Sequence, residues 1–566
     1  MLKKEYRSLN LLENREFDVL IIGGGISGAW LALHCSHQGY KTALIEQGDY
    51  ASQTSSASSK ILHSGIRYLQ QMQFGRVRES ALERAHYLYA APHLSVSVPF
   101  AVPTYKDIPR SKLFLNCGML AYRFLCLGEN QIIAAKDQRL AAIKSISAEA
   151  LQQICPLKDK DNTGAVVFHE RHMHDSERMV LSILQTAQKA GAQIFNHIRA
   201  ESLIYENNQV IGANAIDQID HKQFKIHSQL TINAAGPWID ELNSTFNSAK
   251  FNKKHITGFA VGSHIITRQL SDHAIAVTTQ HQSDAKIDRG GRHVFIIPWR
   301  GFSLIGTSYD EITTPVLNSS IQKDHVKQLL DAVNQALPDV NLESKDLVSG
   351  YSGLYPLKTE NIQSKVYQGS GEYKIIDHAE VDQVDGYITA LGAKYTTGRK
   401  LSTLTMRLIA AKLNRHTNTK NDKVKLHNNQ YTSLTAFTAK KLQQYQAVLT
   451  DEQIRHLVGN YGSDIDAFVE MLNMSPDNEL MQPLCQGQPD LLGQVKWAIE
   501  HEQAYLLKDV LFGRTSVGLL GIKDHEIEFI ARYMAKELDW NSNFLQQQLT
   551  LALNDQKQMR DCLNVA

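Results

Sequence analysis

Three glycines, Gly23, Gly25 and Gly28, stand at G-x-G-x-x-G spacing, and a carboxylate, Glu46, follows them. Those residue types fit one task, the holding of a dinucleotide. Gly23 permits a tight turn, Gly25 lets a pyrophosphate approach the backbone, and Gly28 lets a helix pack closely on a strand. The N-terminus of that helix offers unpaired N–H groups and its positive dipole end to phosphate. Glu46 can accept hydrogen bonds from ribose hydroxyls. The hydroxyl-rich run Thr54-Ser55-Ser56-Ala57-Ser58-Ser59 suits a loop passing close to a bound phosphate. A third group, Ala234-Ala235-Gly236-Pro237-Trp238, ends an apolar run in small residues, which leaves room for a ligand or a helix at a strand end.

The elements that must position these residues are legible around them. Phe17 to Ile22 reads as a buried parallel strand, Ala29 to Cys35 as a helix ended by Gly39, and Lys41 to Glu46 as the next strand. Only this full strand–glycine–helix–strand–acid context gives the glycine spacing weight. Val77 to Ala91 is expected to be a helix stopped by Pro92, and Ser176 to Ala190 a second one ended by Gly191. Glu201 to Tyr205 and Gln209 to Ile216 form a hairpin pattern around Asn207-Asn208, and Gln229 to Asn233 leads as a strand into the small residues. From His264 to Asp310 short apolar runs follow one another without helices, which predicts an inserted antiparallel sheet. Gln322 to Leu337 reads as a helix on that sheet, Tyr387 to Leu391 as a returning strand, and the chain from Thr432 onward as mostly helix.

Bulk properties bound the function. A chain of 566 residues predicts two or three domains, and its 43% hydrophobic and 21% charged residues are ordinary for a globular protein. A formal charge of +1 gives no basis for nucleic-acid binding. Six scattered cysteines without a C-x-x-C pair argue against zinc and a disulfide scaffold, and fit a reducing compartment. No metal set is visible among the 23 histidines. Met1 to Glu16 lacks the apolar core of a signal peptide, and no run approaches the ~20 apolar residues that span a bilayer. Lys112 to Leu127 comes closest, apolar with basic flanks. It fits a monotopic membrane contact or, equally, a buried helix.

A single dinucleotide motif completed by distant strands suggests a flavoprotein, and specific segments sharpen this. Thr54 to His63, Gly65-Ile66-Arg67-Tyr68-Leu69, Ala91-Pro92-His93-Leu94, Asn233 to Trp238, Gly262-Ser263-His264-Ile265, Ile305-Gly306-Thr307, Tyr351-Ser352-Gly353, Lys394 to Leu401 and Asp509 to Thr515 closely resemble the FAD-dependent glycerol-3-phosphate dehydrogenases. The resemblance runs in order over nearly the whole chain. It implies a D-amino-acid-oxidase-like fold of class α/β + β, with non-covalent FAD. A discontinuous Rossmann-like FAD domain is expected at 17–105, 160–245 and 370–415. A substrate domain is expected at 106–159 and 246–369, and a helical domain at 430–566. It further implies oxidation of an alcohol carbon by hydride transfer to the flavin, with quinone or oxygen as acceptor. A cytoplasmic protein, peripheral on the inner face of the membrane and able to form a homodimer, is the matching expectation.

By the same resemblance, FAD contacts are expected from Ile26, Ser27, Gln47, Thr54, Ser55, Ser58, Ser59, Lys60, Leu62 and His63, beside Gly23, Gly25, Gly28 and Glu46. Later contacts are expected from Ala235, Gly236, Trp238, Gly392, Lys394, Tyr395, Thr396 and Thr397. Arg67, Tyr68 and Lys394 are expected at the substrate, with Lys394 also placed to stabilise the reduced flavin. His63 and His264 are alternative bases for the hydroxyl proton, since a near-neutral pKa suits that task. The substrate half departs from the family. Tyr355 stands where members typically carry an Arg of a phosphate clamp, and Gly258 and Val261 replace commonly basic residues. Ser64 replaces a glycine, and Gly398 a tyrosine. Tyrosine cannot reproduce a bidentate guanidinium–phosphate contact. A diverged substrate, uncharged in the limit, is therefore the alternative to glycerol-3-phosphate.

Overall fold

Among the described residues the named strands fall into two sheets. The computed structural model describes residues 7–13, 15–133, 135–157, 161–245, 254–278, 293–315, 320–357, 373–392, 394–416 and 423–565. The first sheet runs in the order Lys374–Asp377, Tyr387–Leu391, Gln223–Asn233, Glu16–Ile22, Thr42–Ile45, Gln193–Phe195. Its central strands are parallel, with Ile21 opposite Ile232 on one side and Leu44 on the other. Continuous apolar strands of this kind need both faces covered. One face is covered by Ile26–His37, which packs between Ser176–Lys189 and Gly398–Lys412 and is buried along almost its whole length. Gly39 follows with φ +77, as the helix stop requires. The hairpin Ile198–Glu206 and Gln209–Asp217 extends the sheet antiparallel to Gln223–Asn233.

The second sheet orders Asp310–Ile312, Gly258–Arg268, Phe302–Gly306, His293–Trp299, Ala274–Thr278, Ser95–Tyr105, Asn162–Met173 and Ile61–Leu62, with Leu347–Leu357 paired along Gly258–Arg268. Lys323–Ala336 covers it, burying Val326, Leu329 and Val333 in a core with Ile265 and Ile275. Ser95–Tyr105 and Asn162–Met173 lie within the segments expected for the nucleotide domain, yet they pair with each other over their length and belong to this second sheet. Between them Lys112–Leu125 is a helix that turns Leu113, Leu120 and Phe124 to solvent. Met119 and Tyr122 of the same helix are buried, so one face packs on the protein and the other is exposed in the single chain.

Helices Leu434–Tyr445, Asp451–Tyr461, Ile465–Asn473, Leu492–Glu502 and Asp524–Leu538 build a third core of their own around Phe468, Trp497 and Ile530. The last helix, Ser542–Leu563, returns to the second sheet, where Leu563 joins the core under Lys323–Ala336.

Candidate active site

The strand Glu16–Ile22 runs into Gly23, whose φ of +118 is open to glycine alone at low cost. A Cβ on Gly23 would lie 2.5 Å from the Ala234 carbonyl, and one on Gly28 would lie 1.9 Å from the Gly23 carbonyl. These two positions let the helix close onto the turn. Glu46 is fixed through both carboxylate oxygens: Gly24 N–H donates to Oε2 at 2.6 Å and Gly48 N–H to Oε1 at 2.9 Å. Burial pushes its pKa up, against the pull of those two N–H groups. Each oxygen retains a lone pair for a hydroxyl donor. Ser55 Oγ accepts from Ile26 N–H at 3.0 Å, so the hydroxyl-rich loop crosses the helix N-terminus where a phosphate would bind.

A cavity of about 440 Å³ follows this turn. Gly23, Gly25, Ile26 and Ser27 form one wall, and Glu46, Gln47, Thr54 and Ser55 close its nucleotide end. Ala235, Gly236 and Trp238 line it from the Gln223–Asn233 strand end. Gly392, Lys394, Tyr395 and Tyr355 line it as well. A volume in this range and three-glycine access to the backbone fit a flavin dinucleotide. Arg199, Glu201 and Glu241 also line the cavity. Sequence reasoning missed them, because residues on a hairpin and a short helix carry no motif of their own.

The remaining expected residues separate into three groups. Around Ser80, the loop after His63 and Lys394 converge. A Cβ on Gly65 would stand 3.0 Å from Ser80 Oγ, and Lys394 Nζ donates to the same oxygen at 3.4 Å. Lys394 Nζ also lies 3.9 Å from the Tyr68 ring centre, a close cation–π contact, and burial pulls its pKa down to about 8. His63 Nδ1 sits 3.1 Å from Glu170 Oε1, with the Gly65 N–H at 3.4 Å. Glu170 is fully buried. Burial alone would raise its pKa, but Arg84, His63 and Ser64 bring it down to about 2. An ionised carboxylate only accepts, so in the His63–Glu170 contact the hydrogen lies on Nδ1, and the longer Gly65 N–H approach is not a bond in that tautomer. Arg67 opens the short helix Arg67–Gln70, and its side chain lies outside the described residues.

His264 occupies a different environment. Its Nε2 is 2.8 Å from Ser59 Oγ, its ring stacks on Tyr351 at 5.1 Å, and burial pushes its pKa down to about 3. Both histidines lie beside the cavity rather than in its lining; His264 is enclosed between Ser59 and Tyr351, whereas His63 is more open and braced by Glu170. His264 faces the same side of the sheet as the paired glycines Gly262 and Gly353 and as Tyr355. Tyr355 packs with Ala260, Tyr309 and Leu357, an apolar corner.

Several expected cofactor contacts lie off the cavity. Lys60 is fully buried with Nζ on Glu177 at 2.8 Å and above the Trp299 ring at 5.5 Å. Removing one partner of such a pair typically costs about 3–5 kcal/mol, so Lys60 is a structural ion pair rather than a phosphate ligand. Leu62 is core, registered against Arg171. Ser58 Oγ accepts from the Lys60 N–H at 3.1 Å, and Ser59 is engaged by His264. Thr396 and Thr397 are buried at the start of Gly398–Lys412. Gly28 acts behind the cavity wall, in the packing described above.

A single glycine-turn parallel sheet, a second sheet across the cavity and a flavin-sized cleft between them define a dinucleotide-dependent flavoprotein oxidoreductase. The family described as FAD dependent oxidoreductase matches residues 18–412, and the C-terminal domain of alpha-glycerophosphate oxidase matches residues 419–544. The chain belongs to the FAD-dependent oxidoreductase family, in its glycerol-3-phosphate dehydrogenase-like branch, and FAD is its cofactor. It is 27% identical over 551 residues to the aerobic glycerol-3-phosphate dehydrogenase of Staphylococcus haemolyticus, covering 95% of this chain and 93% of that one. Against the corresponding protein of Staphylococcus saprophyticus it is 29% identical, over 89% of this chain and 87% of that one. Its fold matches the glycerol-3-phosphate dehydrogenase from Bacillus halodurans complexed with FAD, at TM-score 0.78 and 23% identity over 100% and 99% of the two chains.

Proposed function

We propose that the protein oxidises the secondary alcohol of glycerol-3-phosphate, or of a close analogue, and passes the electrons to a membrane quinone. The observation that carries this reading is the convergence of Tyr68 and the Glu170-held His63 loop, through Ser80, on Lys394, which itself lines the flavin cavity. FAD, when bound, accepts a hydride from the alcohol carbon. The chain's part is to hold the substrate and move its proton. Lys394 offers a cation to an anionic group on the substrate. Nε2 of His63 takes the hydroxyl proton as the carbonyl forms, and Glu170 stabilises the resulting imidazolium.

The acceptor side draws support from Lys112–Leu125. Leu113, Phe114, Leu120 and Phe124 of this helix, with Leu127 after it, form an exposed apolar stripe, and Arg123 lies beside it. Among the described residues no helix is long and apolar enough to cross a membrane. A helix of this character lies in a lipid interface.

Tyr355 favours a second reading, a less charged alcohol. It lines the cavity against an apolar corner, in the place the family resemblance gives to a phosphate-binding arginine. The deciding experiment is anaerobic bleaching of the flavin absorbance by glycerol-3-phosphate, alongside glycerol and other uncharged polyols. Saturable bleaching by glycerol-3-phosphate alone supports the first reading. Bleaching only by uncharged alcohols replaces it with the second.

A further inference from the structure

No described residue of the C-terminal helical domain lines the flavin cavity, yet that domain holds the turn that carries Glu46. Residues 46–51 leave the strand Thr42–Ile45 and contribute Glu46, Gln47 and Ala51 to the cavity wall. Between them, Asp49 and Tyr50 bond to the C-terminal domain. Arg514 grips the Asp49 carboxylate with two nitrogens, Nη1 at 2.6 Å and Nη2 at 2.9 Å. Tyr50 donates its hydroxyl to Gln503 Oε1 at 2.8 Å, and Gln503 Nε2 donates to the Ile194 carbonyl at 2.9 Å. Asn196 Nδ2 joins both sides, donating to Asp49 Oδ1 at 2.9 Å and to the Gln503 carbonyl at 3.0 Å.

The backbone is shaped for this contact. Asp509–Arg514 is a π-helical turn, closed by the Thr515 N–H on the Val510 carbonyl five residues back. Such turns are rare and recur at functional sites. This one presents Asp509 to His197 Nε2 at 2.9 Å and Arg514 to Asp49, while the His197 N–H donates to the Gly48 carbonyl at 2.9 Å. A Cβ on Gly513 would stand 2.4 Å from Asp49 Oδ2, so the close approach needs glycine there. Asp49, His197 and Asp509 gather as metal ligands would, but the Arg514 guanidinium already supplies the positive charge at Asp49.

We propose that the C-terminal domain is a cofactor clamp: through Arg514 and Gln503 it fixes the Asp49–Tyr50 turn and so holds Glu46 and Gln47 in place for the adenosine ribose of FAD. The proposal rests on FAD occupying the cavity with its ribose at Glu46. It assigns a part of the chain with no residue in the cavity to retention of the cofactor.

Apoprotein titrated with FAD, followed by flavin fluorescence quenching, tests it. Two conservative variants each remove one interdomain hydroxyl bond. Tyr50→Phe removes the bond at the ribose turn, and Ser349→Ala removes the 2.6 Å bond from the second sheet to the Leu519 carbonyl. Tyr50→Phe should raise the FAD Kd about threefold to tenfold, as loss of one hydrogen bond does. Arg514→Met should raise it on the order of 100-fold. Ser349→Ala should keep the wild-type Kd. A wild-type Kd in Tyr50→Phe overturns the clamp, and so does equal weakening in Ser349→Ala, which would make domain docking in general the cause. Should Arg514→Met fail to fold, the matched pair decides alone. A wild-type apoprotein that takes FMN as tightly as FAD refutes the placement at Glu46 itself, whatever the variants do.

Discussion

Tyr355 and Lys394 face one cavity with opposite chemical leanings. Lys394 brings a cation, while Tyr355 brings an aromatic wall where the family resemblance calls for a guanidinium. Losing a charged bidentate contact typically costs about 1.5–3 kcal/mol, roughly ten- to a hundred-fold in affinity. If the enzyme acts on a phosphorylated alcohol, Tyr355→Arg should lower KM for glycerol-3-phosphate by about tenfold with kcat little changed, since the added contact binds ground and transition states alike. Steady-state assays with an artificial electron acceptor measure this. A variant with raised KM and no gain on glycerol-3-phosphate would place Tyr355 in a pocket selected for an apolar group. The two histidines show what residue type alone leaves open. His63 and His264 are equal candidates in the sequence, and their neighbours separate them. Glu170, far along the chain, braces the first, while Ser59 and the Tyr351 ring bury the second.

Elements whose contacts are local are legible in the amino-acid sequence alone. The strand–turn–helix–strand unit from Glu16 to Ile45 forms where the glycines and apolar runs place it. The pair Ser95–Tyr105 and Asn162–Met173 is not legible in that way, because it is non-local and because Pro99 and Pro103 interrupt the strand signal. Those prolines sit in a strand that the second sheet nevertheless holds by pairing on both sides. The exposed helix Lys112–Leu125 carries its own prediction. Burying a leucine or phenylalanine side chain is worth about 1.5–3 kcal/mol. Leu120→Asp with Phe124→Asp should therefore weaken binding to vesicles of mixed anionic and neutral lipid by at least about 100-fold. Flavin content and turnover with a soluble acceptor should stay near wild type. Cosedimentation is the measurement, and unchanged partitioning would move the lipid contact elsewhere on the surface.

Across the whole molecule, buried charge joins the three cores. Lys60 with Glu177, Arg178 with Glu502, Arg300 with Asp490, and Arg514 with Asp49 each tie segments remote in sequence. None is visible in the sequence, since a lone Arg or Asp has no pattern until its partner is placed. His197 makes one such link sensitive to pH. It faces Asp509, Asp49, Arg7 and Arg514 at the interdomain contact; burial lowers its pKa, but Asp509 more than reverses this, so the folded value lies above the usual 6.5. A group raised on folding adds stability that is full below its unfolded pKa and is lost as pH climbs through the folded one. The melting temperature should accordingly fall as pH climbs above the ordinary histidine value of 6.5, and His197→Gln should flatten that part of the profile. Differential scanning calorimetry across the range checks it. A slope unchanged in the variant would assign the dependence to other groups.

The side-by-side glycines of the second sheet, Gly262 and Gly353, leave a strip without side chains of its own between His264 with Tyr351 and Tyr355. Ala57, from the hydroxyl-rich loop, rests on Gly353 so closely that a Cβ there would meet it at 2.6 Å. The strip thus belongs to one sheet, while the glycine turn and Glu46 belong to the other. Inheritance can act on the two separately. A lineage can repaint the wall around the strip, one position at a time, and keep its flavin throughout. In this chain Tyr355 stands on the strip's sheet, and the glycine turn with Glu46 stands on the other.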